Sequence, residues 1–540
     1  MSCNYFPYDP DEATAMKNPA IQLFGNRLFM DQTVSELLVE FLLVVFSIKR
    51  IGPDGVFNNT LPNQSTLRDW DGAKLEYAPK ARLNLKLFSF LGASRLDSRH
   101  QTHRSHHEEL LKRFKDRINI AGAGEKEDVV RTIENLFLGF QGAGSGRTWC
   151  AQSFLPISNS LLAGESIWKE SKAKKSQIGD WFDLLEKRSS FFDMKQHLFL
   201  SRGGELIYLQ LCNALRQPQE VIEFWCQKND IRLSDNEQSP IWLHEKLEKA
   251  LGQLMSHCPD TLNKLASFID TTLDPDTPEQ TDGSKEDRRF VSAGWCNADS
   301  WQEGYLFAVE LLRLLETNLD IVERIYLLEN ACAMQVLRTL AMQSARVAEV
   351  DGSVSWPGFR LAVSAPEEDR PAIRRLSQYS VKAVEKMIFQ ALRGNQVTLP
   401  EGEMEREKAL KDSDRRYGGK LFVGLSKRIG FVVPKRGSGA RFILNEQLLR
   451  MLVVTTVPIG GRLTFDTFKE LLESRHGLVF DADGFDRASR WLSGKGIYLS
   501  ADTDGWLQEM LEAAGFLIHL SDSCALVYNP ADHLDSKEKE

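Results

Sequence analysis

Residues 307–341 read FAVELLRLLETNLDIVERIYLLENACAMQVLRTLA. Apolar residues recur at intervals of three and four on both sides of Asn318–Asp320. That periodicity predicts two amphipathic helices, antiparallel across a tight turn, and it sets the fold class as mainly α. Toward the C-terminus the loop DGSVSWPGFRLAVSAPEEDRP, 351–371, leads into a predicted helix over about 372–392. Toward the N-terminus stands DPDTPEQTDGSKEDRR, 274–289, with two prolines, one glycine and no large apolar residue. Such a stretch cannot bury enough surface to order itself, and it predicts a linker. Before it, helical text covers residues 20–50, 80–120, the segment between the glycine-rich breaks at 121–124 and 141–146, then 158–170, 203–216 and 240–272.

The text changes beyond residue 420. IGFVVPKRGSGARFIL, 429–444, alternates short apolar runs around a glycine-rich turn and predicts a basic β-hairpin. Helical segments follow at 445–452, 465–474, 485–492 and 505–514, and GFLIHLSDSCALVYNP, 515–530, closes the chain with two short strands around a polar turn. Helices followed by a terminal hairpin look like a winged-helix module, a small α/β unit of the helix-turn-helix class. The expected organisation is therefore multi-domain. An N-terminal helical domain spans 1–273, a linker 274–289 and a second helical domain 290–400. A basic segment with the hairpin spans 401–444, the winged-helix-like module 445–530, and a charged tail 531–540.

A chain of 540 residues accommodates about three to four domains. At 42% apolar, 26% charged and 9% aromatic residues it is neither a mainly disordered nor a collagenous chain. Its eight cysteines are widely spaced and form no C-x-x-C, which argues against a disulfide framework or a cysteine-rich zinc site and for a reducing cytoplasm. The opening MSCNYFPYDPDE has neither a basic nor an apolar signal region. In the most membrane-like stretch, Val34–Ile48, Glu36 and Glu40 interrupt the apolar run. It is too short to span a bilayer, which needs about 20 residues, and is expected as a buried helix.

Four motifs invite a catalytic or metal-binding reading. QGAGSGRT, 141–148, approaches the phosphate loop G-x-x-x-x-G-K-[ST], but Gln141 stands for its first glycine and Arg147 for its lysine, and helix-like text precedes it where a strand is required. His100, His103, His106 and His107 cluster within eight residues, and three of them share a helix face, but no carboxylate or cysteine completes a metal set. Gly203–Gly204 at a helix start suits a close helix–helix approach better than a ligand. His257 and Cys258 are adjacent, so on a helix they do not face one another. No enzymatic activity, cofactor or metal is therefore expected. A nucleotide-dependent or nucleolytic enzyme using 141–148 or 100–107 stands as one alternative, a structural scaffold as another.

Charge is more informative. Between 406 and 441 stand eleven Lys and Arg against three Asp and Glu, a local net charge of +8 in a chain whose total is −8. The remainder thus carries −16. One basic segment on an acidic body attracts phosphates at one place and repels them elsewhere. Arg415, Arg416, Lys420, Lys427, Arg428, Lys435, Arg436 and Arg441 are the candidate nucleic-acid contacts. Residues 501–530 contain no Lys or Arg but carry Asp502, Asp504, Glu509, Glu512 and Asp522, so that module is expected to contact protein rather than nucleic acid.

Four phrases, LFGNRLFMDQTVSELLVEFLLV (23–44), GSGRTWCAQSFLPIS (144–158), LSRGGELIYLQL (200–211) and GFLIHLSDSCALVYNP (515–530), together resemble bacterial proteins encoded beside large helicases or ATPases in anti-phage defence operons of the Druantia or BREX kind. The resemblance implies a non-catalytic or accessory subunit that contacts DNA or a helicase or ATPase partner; the cysteine usage and the lack of a spanning stretch separately place it in the cytoplasm, with no membrane partner expected. It implies no active-site residue.

Overall fold

The computed structural model describes residues 5–10, 18–25, 28, 31–52, 54–91, 101–120, 124–142, 147–169, 192–193, 202–256, 259–272, 290–348, 356–497, 499, 503–521 and 524–531. The fold is mainly helical. First come β1 (Tyr5–Phe6), α1 (Pro19–Phe24), α2 (Val34–Phe46), β2 (Ile48–Ile51), β3 (Asp54–Phe57), α3 (Gln64–Asp69), β4 (Leu75–Ala78), α4 (Leu83–Phe90), α5 (Gln101–Arg117) and α6 (Lys126–Gly139). Short strands β5 (Ile167–Trp168) and β6 (Phe192–Asp193) precede α7 (Gly203–Leu215), α8 (Gln219–Asn229), α9 (Pro240–Leu254) and α10 (Asp260–Asp270). After β7 (Val291–Ser292) and β8 (Cys296–Asn297) come α11 (Trp301–Leu315), α12 (Ile321–Val347), β9 (Leu361–Ala362) and α13 (Pro371–Ala391). α14 (Glu403–Ser413) continues through a π-helical turn, Asp414–Phe422, into α15 (Val423–Arg428), and β10 (Val432–Val433) pairs with β11 (Arg441–Phe442). Last are α16 (Glu446–Thr456), β12 (Arg462–Thr464), α17 (Phe465–His476), β13 (Leu478–Val479), α18 (Ala482–Ser493), α19 (Gly505–Ala513), β14 (Leu517–Ser521) and β15 (Cys524–Tyr528).

The centre is a sheaf of α2, α7, α11 and α12. Every residue of α7 is buried, and α7 packs on both α2 and α11. Glycines allow that closeness. A Cβ at Gly204 would strike the backbone of Leu37 and Phe41 in α2, and one at Gly304 would lie 2.5 Å from the Gln210 carbonyl in α7. A polar thread runs through the sheaf. Arg338 donates to both carboxylate oxygens of Glu310 at 2.8 and 2.9 Å, and to Gln335. Gln335 in turn donates to Gln210 at 3.0 Å. Glu310, Gln335 and Arg338 are polar positions inside the apolar text of 307–341, and they find their partners in one another and in Gln210 of α7.

α2 begins with a reciprocal capping box between Thr33 and Glu36. It ends where the buried Lys49 ammonium donates to the carbonyls of Val44, Val45 and Ser47 at 3.0, 2.6 and 2.8 Å. No described helix is long and apolar enough to cross a membrane. The single helix expected over 20–50 is instead two helices and a strand. Gly25, at φ +85, abuts the Trp295 carbonyl where no side chain fits and ends α1, while residues 48–51 join an antiparallel sheet ordered β3-β2-β4-β7. The helix expected over 158–170 is also replaced. Ser158 accepts from its neighbour Ser160, and the Gly164 amide donates to Lys80, so only a 3-10 turn at Asn159–Leu161 forms before β5.

Residues 274–289, expected as a linker, lie outside the described residues. On either side of them β4 pairs with β7, and α7 packs against α11. The helices expected in the 301–346 stretch, at 372–392 and at 203–216 stand at those places. In the C-terminal part β12, β15 and β14 form one antiparallel sheet in that order.

Two alanine substitutions separate the close approach from ordinary helix propensity. Gly204→Ala is expected to destabilise the fold by about 1–3 kcal/mol or more, because backbone must move. Gly252→Ala, at an exposed position of α9 with nothing within 4 Å, is expected to stabilise by about 0.5–1 kcal/mol. Denaturant midpoints of the two variants check this, and equal shifts would contradict it.

Candidate nucleic-acid interface

α13 opens with Pro371 at its first turn, after the extended Arg370. Its apolar side, with Ile373, Leu376, Val381, Val384, Met387 and Ile388 among the buried positions, lies on α12, β11 and α18. Opposite it Arg375, Tyr379, Lys382 and Lys386 are all exposed, at intervals of four, three and four. They form one stripe, about 16 Å long at 1.5 Å per residue. Tyr379 is 56% exposed. Arg374 is exposed beside the stripe, and Glu385 is the helix's sole carboxylate.

The hairpin β10–β11 stands against this helix. The Phe442 amide donates to Ser377 Oγ at 2.8 Å, and the position of a Gly439 Cβ lies 3.5 Å from Gln378. Lys435 and Arg436 are exposed at the hairpin tip, and Gly437 and Gly439 at φ +98 and +84 let the tip turn tightly. Lys427 in α15, partly exposed, acts electrostatically on Glu385 in α13. Burial raises the Glu385 pKa, and Lys382 and Lys427 oppose that rise. Among the described residues, Arg374, Arg375, Lys382, Lys386, Lys427, Lys435 and Arg436 have no ion-pair partner.

The eight cations singled out in the sequence fall into different classes. Lys427, Lys435 and Arg436 belong to this face, and Lys420 is exposed on the π-helical turn. Arg416 is paired with Asp412 at 3.0 Å. Arg428 donates to the Gln32 carbonyl and lies near Asp31 and Glu36. The Arg415 side chain lies outside the described residues. Arg441 is turned inward. It is 9% exposed, and its guanidinium donates to Ser364 Oγ at 2.5 Å, Ala365 O at 2.7 Å and Pro366 O at 2.5 Å. It holds the hairpin to the 364–366 loop, with three of its five N–H groups engaged there. The cations of α13 were not among the expected contacts. Their signal is the four-three-four spacing opposite the apolar positions, which a count of charges along a continuous window passes over.

The catalytic candidates resolve differently. Residues 143–146 of the glycine-rich loop lie outside the described residues. On its flanks Gly142 N donates to Ser153 O at 2.9 Å, and Arg147 pairs with Glu36 at 2.9 Å and donates to Asp31 O at 3.0 Å. Helix α6 precedes the loop and a 3-10 turn follows it, without the strand and helix that cradle a phosphate. His100 and the pair His257–Cys258 lie outside the described residues. His103 packs on Trp149 and Trp168 at 5.5 and 4.4 Å between ring centroids, and His106 Nε2 lies 3.3 Å from Asn84 Oδ1. His103, His106 and His107 are all buried core residues. No three His, Cys, Asp or Glu among the described residues are placed to hold a metal ion.

In the C-terminal part a polar pocket of about 890 Å³ lies between α17, α18, α19 and β15. Lys469 Nζ sits in it 3.1, 3.0 and 2.5 Å from carboxylate oxygens of Asp466, Asp481 and Asp504. Burial would lower this ammonium's pKa, but Asp504 and Asp481 outweigh it and hold it above its ordinary value. The one lysine of this pocket is therefore fully engaged with acids.

Comparison with protein-family models, curated proteins and solved structures finds no match.

The buried histidines yield a pH prediction. Burial pushes the His107 imidazole from 6.5 down to about 4. Between those values the unfolded chain takes up a proton that the folded chain refuses, so stability present above pH 6.5 is lost as pH falls toward 4. The loss at pH 5 is about 2 kcal/mol. His107→Leu is expected to lose less melting temperature between pH 7 and pH 5 than the unchanged protein. A metal-binding role predicts instead that added zinc raises the melting temperature of the unchanged protein alone.

Proposed function

We propose that the protein is a non-catalytic accessory subunit of a bacterial anti-phage defence complex, acting in the cytoplasm, and that it contacts DNA through α13 and the β10–β11 hairpin. The observation that carries the DNA contact is the unpaired set Arg374, Arg375, Lys382, Lys386, Lys427, Lys435 and Arg436 on adjoining elements, with a single carboxylate on α13. Exposed cations spaced along a helix neutralise successive phosphates without reading base sequence. Tyr379 in their midst offers a ring to stack on an unpaired base or a hydroxyl to a phosphate oxygen. The acidic remainder of the chain confines a polyanion to this side.

In this reading residues 445–530 are a winged-helix module turned to protein contact. Its support is the strand order β12-β15-β14, with β14 and β15 forming a hairpin directly after α19. The acids Glu509 and Glu512 on α19 and the carboxylates around Lys469 would repel DNA. A helicase or ATPase subunit of the same system is the proposed partner for that acidic surface.

The test is the salt dependence of binding to labelled duplex and single-stranded DNA. In a variant with Lys382, Lys386, Lys435 and Arg436 changed to Gln, the slope of log K against log salt should fall by about 0.9 for each duplex phosphate that is no longer neutralised. Changing Lys246 and Lys249 on α9 to Gln should leave it as it was. An unaltered slope in the fourfold variant rejects the assignment.

A further inference from the structure

We propose that the basic face takes DNA as a single strand, with a base stacked on Tyr379 and the strand's phosphates on the cations beside it. This rests on the reading of that face as a DNA contact, and adds which form of DNA it takes. At about 100° per residue, Arg375, Tyr379, Lys382 and Lys386 fall within one narrow sector of α13. Tyr379 stands between the turn that carries Arg375 and the turns that carry Lys382 and Lys386, with no carboxylate in that sector. It is 56% exposed, and neither its ring nor its hydroxyl has a partner among the described residues. A ring left open to solvent among cations is the arrangement that holds unpaired bases while the charges hold the backbone.

The surroundings of α13 select against a duplex. One flank of the stripe is occupied. Gln378 meets the hairpin tip, where a Gly439 Cβ would lie 3.5 Å from its amide, and Glu385, two turns further along the same flank, lies within the field of Lys427. The helix also packs on α12, α18, β9, β11 and the π-helical turn. A major groove about 12 Å wide admits a bare helix of about that diameter, but α13 carries the hairpin on its side. A duplex laid along the stripe therefore meets it with the outside of its backbone, and its base faces stay stacked out of reach of Tyr379. A single strand turns its bases out and runs along the stripe beside Lys435 and Arg436 at the hairpin tip. Charge alone favours the opposite choice. A duplex carries one negative charge per about 1.7 Å of axis, more than a single strand, so cations by themselves hold it more tightly. A preference for the single strand thus reports the ring.

The test uses the full chain and three fluorescein-labelled probes of equal length, followed by anisotropy: an unstructured single strand of mixed sequence, the duplex it forms with its complement, and an abasic strand that keeps the phosphates and lacks the bases. The single strand is expected to bind about tenfold more tightly than either of the others. Tyr379→Ala should lower the ratio of single-strand to duplex affinity by about tenfold, and Tyr379→Phe, which keeps the ring, should preserve it. The loss in Tyr379→Ala should be the same at low and high salt, because stacking releases no counterions. A duplex bound as tightly as the single strand, an abasic strand bound as tightly as the intact one, or an unchanged ratio in Tyr379→Ala overturns the proposal. In any of these cases, a loss of affinity when Lys382, Lys386, Lys435 and Arg436 are changed to Gln leaves the basic face standing as a DNA contact. Full affinity in that fourfold variant removes the basic face itself, and this proposal with it.

Discussion

The architecture hangs on one close contact, the backbone of α7 pressed against α2 at Gly204 and against α11 at Gly304. Only glycine permits helices to approach that closely without moving one of them. The approach buries α7 on every side and gives α11 and α12 a floor on which to pack. The Arg338–Glu310 pair then sits between these two helices with both partners almost fully enclosed. Such a pair adds little net stability compared with apolar side chains, but breaking it would leave a buried charge. It fixes which faces of α11 and α12 meet. α13 lies on α12 with its apolar side inward, and its cations have no place but the surface.

Charge in this chain therefore does two different kinds of work. Lys49, Arg441 and Arg428 are spent on backbone carbonyls. Arg313 also belongs to this class, reaching the C-terminal carbonyls of α16 while paired with Glu237. These cations satisfy helix ends and loops that would otherwise be buried without donors. The cations of α13, the hairpin tip and Lys427 have no such tasks. They are gathered on adjoining elements of the surface. A linear count of Lys and Arg cannot make this distinction, because it does not see which guanidinium is already surrounded by oxygens.

Much of the helical scaffold is legible in the sequence, and the reasons are local. The three–four periodicity of 307–341 and of 372–392 survives into the structure because it describes faces that pack. The glycine-rich turn of 434–440 and the terminal hairpin are legible through turn chemistry. The sheet β3-β2-β4-β7 is not, since Glu76 and Tyr77 pair with Ser292 and Val291 far along the chain, and short strands of two to four residues carry little periodic signal. Of the cations in the proposed contact, Lys427, Lys435 and Arg436 are readable from the sequence. The stripe on α13 was hidden by the apolar residues between its charges. The burial of Arg441 is not legible, because it depends on a loop, 364–366, that only folding brings beside it.

The most direct test of the proposed DNA contact is photocrosslinking from a benzophenone side chain installed at position 379, compared with the same group at Leu136 on the exposed side of α6, 42% exposed. With labelled duplex and single-stranded DNA at physiological salt, the account predicts crosslinks from 379 that disappear at high salt, and none from 136. Equal yields from the two positions, or crosslinks from 136 alone, would contradict it.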